Sequence, residues 1–158
     1  MQVFDTSAIV YAWDNYPIDQ FPPLWNWLAK EVGEGRVCMP EVALTEVESV
    51  SPDCATWLTD QGITCLPMKD EILLSALQFK NFLEIGAHFG GGVGENDLLI
   101  IATAKHHGVQ LISNEAFQPT LPKTKANYKM PAVCALPGVS VACHDFLEFL
   151  KKSKAVFA

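Results

Sequence analysis

The chain has 158 residues, 49% of them hydrophobic, and a formal net charge of −7. That length fits a single domain over residues 1–158 with room for a sizeable core. The acidic balance excludes attraction to nucleic acid by bulk charge, so any such contact has to come from a local basic patch. The N-terminus lacks the basic residues of a signal peptide, and the densest apolar run, Leu98–Ala102, is far too short to cross a bilayer. A soluble cytoplasmic protein without membrane contact is the expectation.

In chain order, Gln2–Phe4 reads as a buried strand and Ser7–Trp13 as an apolar helix. Pro23–Val32 reads as a second helix. Val37–Met39 is a strand candidate, followed by a helix over Val42–Val50. Ile63–Leu66 is the next strand, then come helices over Lys69–Ile85 and Asp97–His107. Strands at Gln110–Ile112 and Val139–Val141 and a last helix at His144–Lys152 complete the pattern. Alternation of this kind predicts an α/β fold whose central, mostly parallel sheet has about five strands. In such sheets functional groups gather at the carboxyl ends of the strands. No repeat or linker divides the chain, although His88–Gly94 and Phe117–Pro131 are long enough to be functional loops.

Several features read as structural. The five cysteines form no C-x-x-C pair, which suits scattered buried free thiols in a reducing compartment. His106 and His107 are adjacent and point to different helix faces, a poor geometry for ligating one ion. "FGGGVGEN" follows a helical pattern instead of a strand and does not fit G-x-G-x-x-G, so it reads as a turn before the next helix.

Four acids stand in less ordinary places. Asp5 follows the first strand directly; a helix N-cap is its simplest role, but Thr6 or Ser7 is equally able to cap. Glu46 falls within the apolar stripe Val42, Ala43, Val47 and Val50, where a carboxylate needs compensation or a path to water. Asp97 lies in the first turn of a helix apolar on all sides, where the positive end of the helix dipole favours an anion; Glu95 and Asn96 compete as caps. Glu115 follows the Gln110–Ile112 strand in a polar turn, where a solvated loop acid is the plain alternative. Two of these acids follow strands and two lie on helices entering the same layer, so all four can converge on one edge of the sheet. Clustered carboxylates repel and take up protons unless a cation joins them. Mg²⁺ or Mn²⁺ suits an all-oxygen donor set, and its waters can be activated for attack on a phosphodiester.

The stretches "VFDTSAIVYAW", "PEVALTEVE" and "GENDLLIIATAKHHGVQLISNE" together resemble the PIN domain, the fold of VapC-type toxin ribonucleases. The match spans nearly the whole chain. "YAWDNYP" and "KMPAVCALPGV" look more like a PIN-like subfamily catalogued as a domain of unknown function. The resemblance implies a three-layer α/β/α PIN-like fold and metal-dependent hydrolysis of RNA by water attack at phosphorus. It implies Asp5, Glu46, Asp97 and Glu115 as the Mg²⁺- or Mn²⁺-binding and catalytic set, with Ser7 orienting Asp5 or a metal-bound water. Asn114 would touch substrate or water. The chain departs from the family at Glu115, where most members have Asp, and at Ala116 and Phe117, where many carry a further Asp; one metal or two are both open.

Substrate contacts would come from lysines, since Arg36 is the single arginine. Lys123, Lys125 and Lys129 cluster in the loop after Glu115, with Tyr128 available for stacking on a base; Lys151, Lys152 and Lys154 form a second group. Trp25 and Trp27 on the second helix read as core, or else as a contact with a homodimer partner or an antitoxin helix. Two functional readings follow: a metal-dependent endoribonuclease, the toxin of a type II toxin–antitoxin pair, or a catalytically weak PIN-like scaffold that binds protein or RNA without cutting. A phosphatase with an aspartyl nucleophile fits less well, because no second Asp lies two residues beyond Asp5.

Overall fold

The computed structural model describes residues 1–158. Its centre is a five-stranded parallel sheet in the order β3-β2-β1-β4-β5. The strands are β1 (Gln2–Phe4), β2 (Val37–Pro40), β3 (Thr64–Leu66), β4 (Leu111–Ile112) and β5 (Cys143–His144). Val3 and Phe4 have no exposed surface, because β1 is the middle strand and helices cover both of its faces. At the β3 edge Thr64 and Cys65 are exposed and only Leu66 is buried. No helix is long and apolar enough to cross a membrane.

The helices are α1 (Thr6–Asn15), α2 (Pro22–Gly33), α3 (Glu41–Val50), α4 (Pro52–Asp60), α5 (Asp70–Phe82), α6 (Glu95–His107), α7 (Met130–Cys134) and α8 (Phe146–Ser153). The all-round apolar character of α6 has the expected consequence: Leu98, Ile100, Ile101, Ala102, Thr103 and Ala104 are all buried. Thr103 meets its polar need by donating to Leu99 O at 2.7 Å. Trp25 is core, stacked edge-on against Trp13 and Trp57, and its indole N–H donates to Tyr16 O at 2.7 Å. Trp27 lies against Phe149 and Phe157. The exposed apolar stripe is instead on α5, at Leu73, Leu74 and Leu77.

The structure corrects several expectations. Val139–Val141 is not a strand: Val139 and Ser140 donate back to Leu136 O and Val141 to Cys134 O, so the segment closes a turn behind α7. Its alternating pattern reflects two valines buried from a turn, and the pairing strand begins at Cys143. Asp145 accepts from Glu148 N at 2.8 Å and caps α8, so that helix starts after His144. Helix α5 stops at Phe82, before a left-handed Glu84 (φ 54°). Helices α4 and α7 were not anticipated. Val50 belongs to the solvent face, 64% exposed. Among the cysteines, all free, Cys65 is exposed and Cys143 half-buried, while Cys38, Cys54 and Cys134 are buried.

Candidate active site

The sheet order reverses direction at β1: the chain proceeds to β2 and β3 on one side and returns to β4 and β5 on the other. Clefts in open parallel sheets form outside the carboxyl ends of the strands at such a switch. The pairing Phe4↔Ile112 places the residues after β1 and β4 side by side, and Asp5 N donates to Ile112 O at 2.9 Å.

Asp5 is 2% exposed. Its Oδ2 accepts from Ser7 Oγ at 2.5 Å, from Ser113 Oγ at 3.0 Å and from Ser7 N at 3.4 Å. The capping alternative is therefore realised together with burial: Asp5 is itself the N-cap of α1. Thr6 is occupied elsewhere, donating to Ala43 O at 3.1 Å and tying α1 to α3. Ser7 Oγ also accepts from Asn114 N at 2.9 Å, and Ser113 Oγ accepts from Glu115 N at 3.2 Å. Asp5 is thus the hub of a small network spanning the β1 and β4 ends. Burial pushes its carboxyl pKa above the ordinary value; the Ser7 and Ser113 hydroxyls pull it back, and the charge on Asp97 adds to the rise.

The other acids gather around this hub. Asp97 sits in the first turn of α6 and accepts from Gly94 N at 2.8 Å, reaching back over the helix start. Its pKa is raised first by burial, and further by the charges of Glu115 and Glu46, with Gly94 N–H and Lys129 opposing. Glu115 is half-buried and raised by burial, then by Asp5 and Glu46, with Lys129 again opposing. Glu46 is half-buried on α3, and its Oε1 accepts from Asn96 Nδ2 at 2.8 Å. The four expected acids therefore share one electrostatic neighbourhood.

Lys129 is the cation that neighbourhood feels, and it forms no ion pair at contact distance. Lys123 and Lys125 are exposed farther along the loop. Asn114 directs its side-chain oxygen to Phe146 N at 2.9 Å, fixing the start of α8 and leaving its Nδ2. Tyr128 is buried, which corrects its expected stacking role; the exposed aromatic of this loop is Phe117. Arg36 is held by Glu31 and Glu34 at the amino ends of the strands, opposite the acids.

Ser113 and Asn96 are contacts the sequence reading missed. Ser113 follows β4 as Asp5 follows β1, and that parallel placement is the only local signal for it. Asn96, from its position in the sequence, reads only as a competing cap.

The loops bounding the site are locked together. A Cβ on Gly92 would lie 2.4 Å from Ala126 O and 2.6 Å from Tyr128 O, so only glycine permits this approach of two backbones. Val93 N donates to Tyr128 O at 2.9 Å, one residue before Lys129.

The donor set offered to a cation is all oxygen: four carboxylates and two serine hydroxyls, with one lysine nearby. That chemistry fits a hard divalent ion. In the present side-chain positions no three acidic, histidine or cysteine groups form a ready-made ion cage. Asp97 and Glu46 spend carboxylate oxygens on Gly94 N and on Asn96.

This sheet order, enclosed by helices and carrying its acids at the switch, defines a three-layer α/β/α PIN-like fold. The chain belongs to the family described as a domain of unknown function (DUF4411), which it matches over residues 2–157. Solved structures similar in fold include VapBC2 from Rickettsia felis bound to a DNA fragment from its promoter, at 16% identity and TM-score 0.57, covering 91% of this chain and 97% of that one. DNA-bound VapBC from Salmonella typhimurium is 17% identical with TM-score 0.57, covering 92% and 97%. FitAcB from Neisseria gonorrhoeae is 16% identical with TM-score 0.53, covering 93% and 99%. No curated protein matches the sequence.

Proposed function

We propose that the chain is a metal-dependent endoribonuclease and the toxin partner of a type II toxin–antitoxin pair. The observation that supports this most is that Asp5, Glu46, Asp97 and Glu115, each from a different element, lie near enough for their charges to act on one another, while the buried Asp5 has no cationic partner in contact. Asp5 and Asp97 would hold Mg²⁺ or Mn²⁺, with Glu46 and Glu115 ligating directly or through water. The ion, when bound, supplies an activated water and neutralises charge on the phosphate.

The chain's own groups do the positioning. Ser7 and Ser113 fix the Asp5 carboxylate, so that it does not have to be ordered when substrate arrives. Lys129 lies where a phosphate approaching the acids would meet a positive charge, and Lys123 and Lys125 extend that path along the exposed loop. The structures of like fold are of VapBC and FitAcB assemblies, which motivates an antitoxin as partner. An antitoxin helix or a second copy needs apolar surface, and α5 offers it at Leu73, Leu74 and Leu77.

A specific observation favours the second reading, a PIN-like scaffold that binds without cutting: the carboxylates are not grouped as a finished ion cage. One titration separates the two. The nuclease reading requires Mn²⁺ to raise the melting temperature, RNA to be cut only with the metal, and both effects to vanish in Asp5→Asn and Asp97→Asn. Cleavage that persists in both variants would falsify the assignment of those residues.

A further inference from the structure

Beside the acids, at the carboxyl ends of β4 and β5, a cleft of ≈ 600 Å³ runs from Ser113 and Glu115 past Asn114 to Asp145 and Glu148, with Phe117 and Pro131 on its rim. We propose that this cleft holds a nucleobase of the RNA next to the scissile phosphate and prefers guanine. The proposal rests on the nuclease reading and gives its site a sequence preference.

Size and charge define the occupant. The volume lies within the roughly 300–1,000 Å³ span of small-molecule sites. The walls carry Glu115, Asp145 and Glu148 against a single histidine, His144, which is itself bonded to Glu148 (3.2 Å) and Lys152 (2.7 Å). A phosphate would be repelled here, whereas a neutral base with donor groups would not. The cation near Glu115 is Lys129, which does not line the cleft.

Phe117 points to the kind of ligand. It is 76% exposed, two residues after Glu115, and its ring pairs with no other aromatic ring of the chain. Single-stranded RNA is read by stacking splayed bases on such rings and hydrogen-bonding their Watson–Crick edges.

The free polar atoms select the base. Asp145 uses Oδ1 to cap α8, leaving Oδ2, and Glu148 gives Oε2 to His144, leaving Oε1. Asn114 uses Oδ1 on Phe146 N, leaving the Nδ2 donor. Two free acceptors and one donor complement guanine, which presents N1–H and N2–H beside O6. Uracil offers a single edge N–H between two carbonyls, so it leaves a carboxylate facing an oxygen.

The test uses short oligouridylates carrying one central G, A, C or U, with the full chain and Mn²⁺. Affinity is read by fluorescence anisotropy and cut positions by gel. The expected result is tightest binding and cleavage beside G. Phe117→Ala should weaken binding of the G-containing RNA about tenfold, and Glu148→Gln, which removes the carboxylate that a uracil carbonyl would face, should narrow the G-over-U ratio. Equal affinity for all four RNAs, or a Phe117→Ala variant that binds as wild type, overturns the base site while leaving the nuclease reading intact. Absence of any RNA binding or cutting overturns both. Capture of an arginine-rich peptide in place of RNA, lost in Glu148→Gln, would show a peptide site and overturn the inference as well.

Discussion

Replacing Asp5 with Asn should make the metal-free protein more stable. Asp5 is 2% exposed, and its contacts are all neutral donors: two serine hydroxyls and one backbone N–H, all onto Oδ2. Neutral donors solvate a carboxylate only in part, and Asp97 adds repulsion. An asparagine oxygen keeps the same acceptor at that spot and removes the buried charge. Relief of incomplete charge solvation is on the order of 1–3 kcal/mol, from which roughly 1 kcal/mol is lost because the new amide N–H needs a partner. The net gain of about 0–2 kcal/mol raises the melting temperature of a chain this size by up to roughly 8 °C. Calorimetry in EDTA measures it. The metal arm is opposite in sign: saturating the wild type at about a hundred times Kd adds ~2.7 kcal/mol, and the variant should lose that increment. A variant that melts below the wild type without metal, or gains as much from Mn²⁺, refutes the reasoning that Asp5 is a strained charge kept for an ion.

Other consequences follow from the same geometry. The carboxyls of Asp5, Asp97 and Glu115 are raised, so the folded state holds their protons more tightly than the unfolded chain. Their contribution is complete below the ordinary carboxylate value of about 4 and is lost as pH rises through the raised values, so the metal-free wild type should lose stability relative to Asp5→Asn over that rise; a pH-independent gap between the two melting curves contradicts this. Gly92→Ala puts a methyl against Ala126 O and Tyr128 O and breaks the Val93–Tyr128 hydrogen bond, at a cost of about 2–4 kcal/mol. A fall in melting temperature of roughly 5–15 °C is expected, and a change below a degree or so shows that the loops part freely. Charge reversal at Lys123 and Lys125 should weaken RNA binding and reduce the salt slope by about 1.4 if each meets a phosphate; an unchanged slope removes the loop from the substrate path.

How far the fold could be read depends on how local its signals are. Strand β1 shows itself because Val3 and Phe4 run straight into an acid, and α6 because it is apolar on every side. Val139–Ser140–Val141 misleads because burial from a turn has the same alternation as burial from a strand. Helix α4 escapes because it follows α3 with only Ser51 between them, and its buried residues Cys54, Ala55 and Leu58 make too short a stripe. The positions of Asp5, Asp97 and Glu115 were legible because each acid stands at the end of an apolar element. Ser113 was not, since its contact with Asp5 depends on the β1–β4 register, which pairs residues 108 positions apart. Tyr128 was misjudged for a similar reason: Val93 from a distant loop bonds the backbone at Tyr128, whose ring is buried, while Phe117 is left exposed.

The site is also coupled mechanically. Gln118 accepts from Lys129 N at 2.7 Å and donates to Asn127 O at 3.2 Å, so the segment bearing Phe117 holds the segment bearing Lys129. The same segment is pinned to the glycine loop through Tyr128 O, and that loop ends at Gly94, whose N–H holds Asp97. An acid, the lysine that partly offsets its charge and the exposed ring therefore sit on one chain of hydrogen-bonded segments. Displacing any of these loops is expected to alter the distance between Lys129 and Asp97, and with it how tightly Asp97 keeps its proton. Asp5 is anchored separately, by Ser7 and Ser113 at the sheet. The arrangement thus pairs an acid held at the strand ends with a second acid and a lysine held by linked loops.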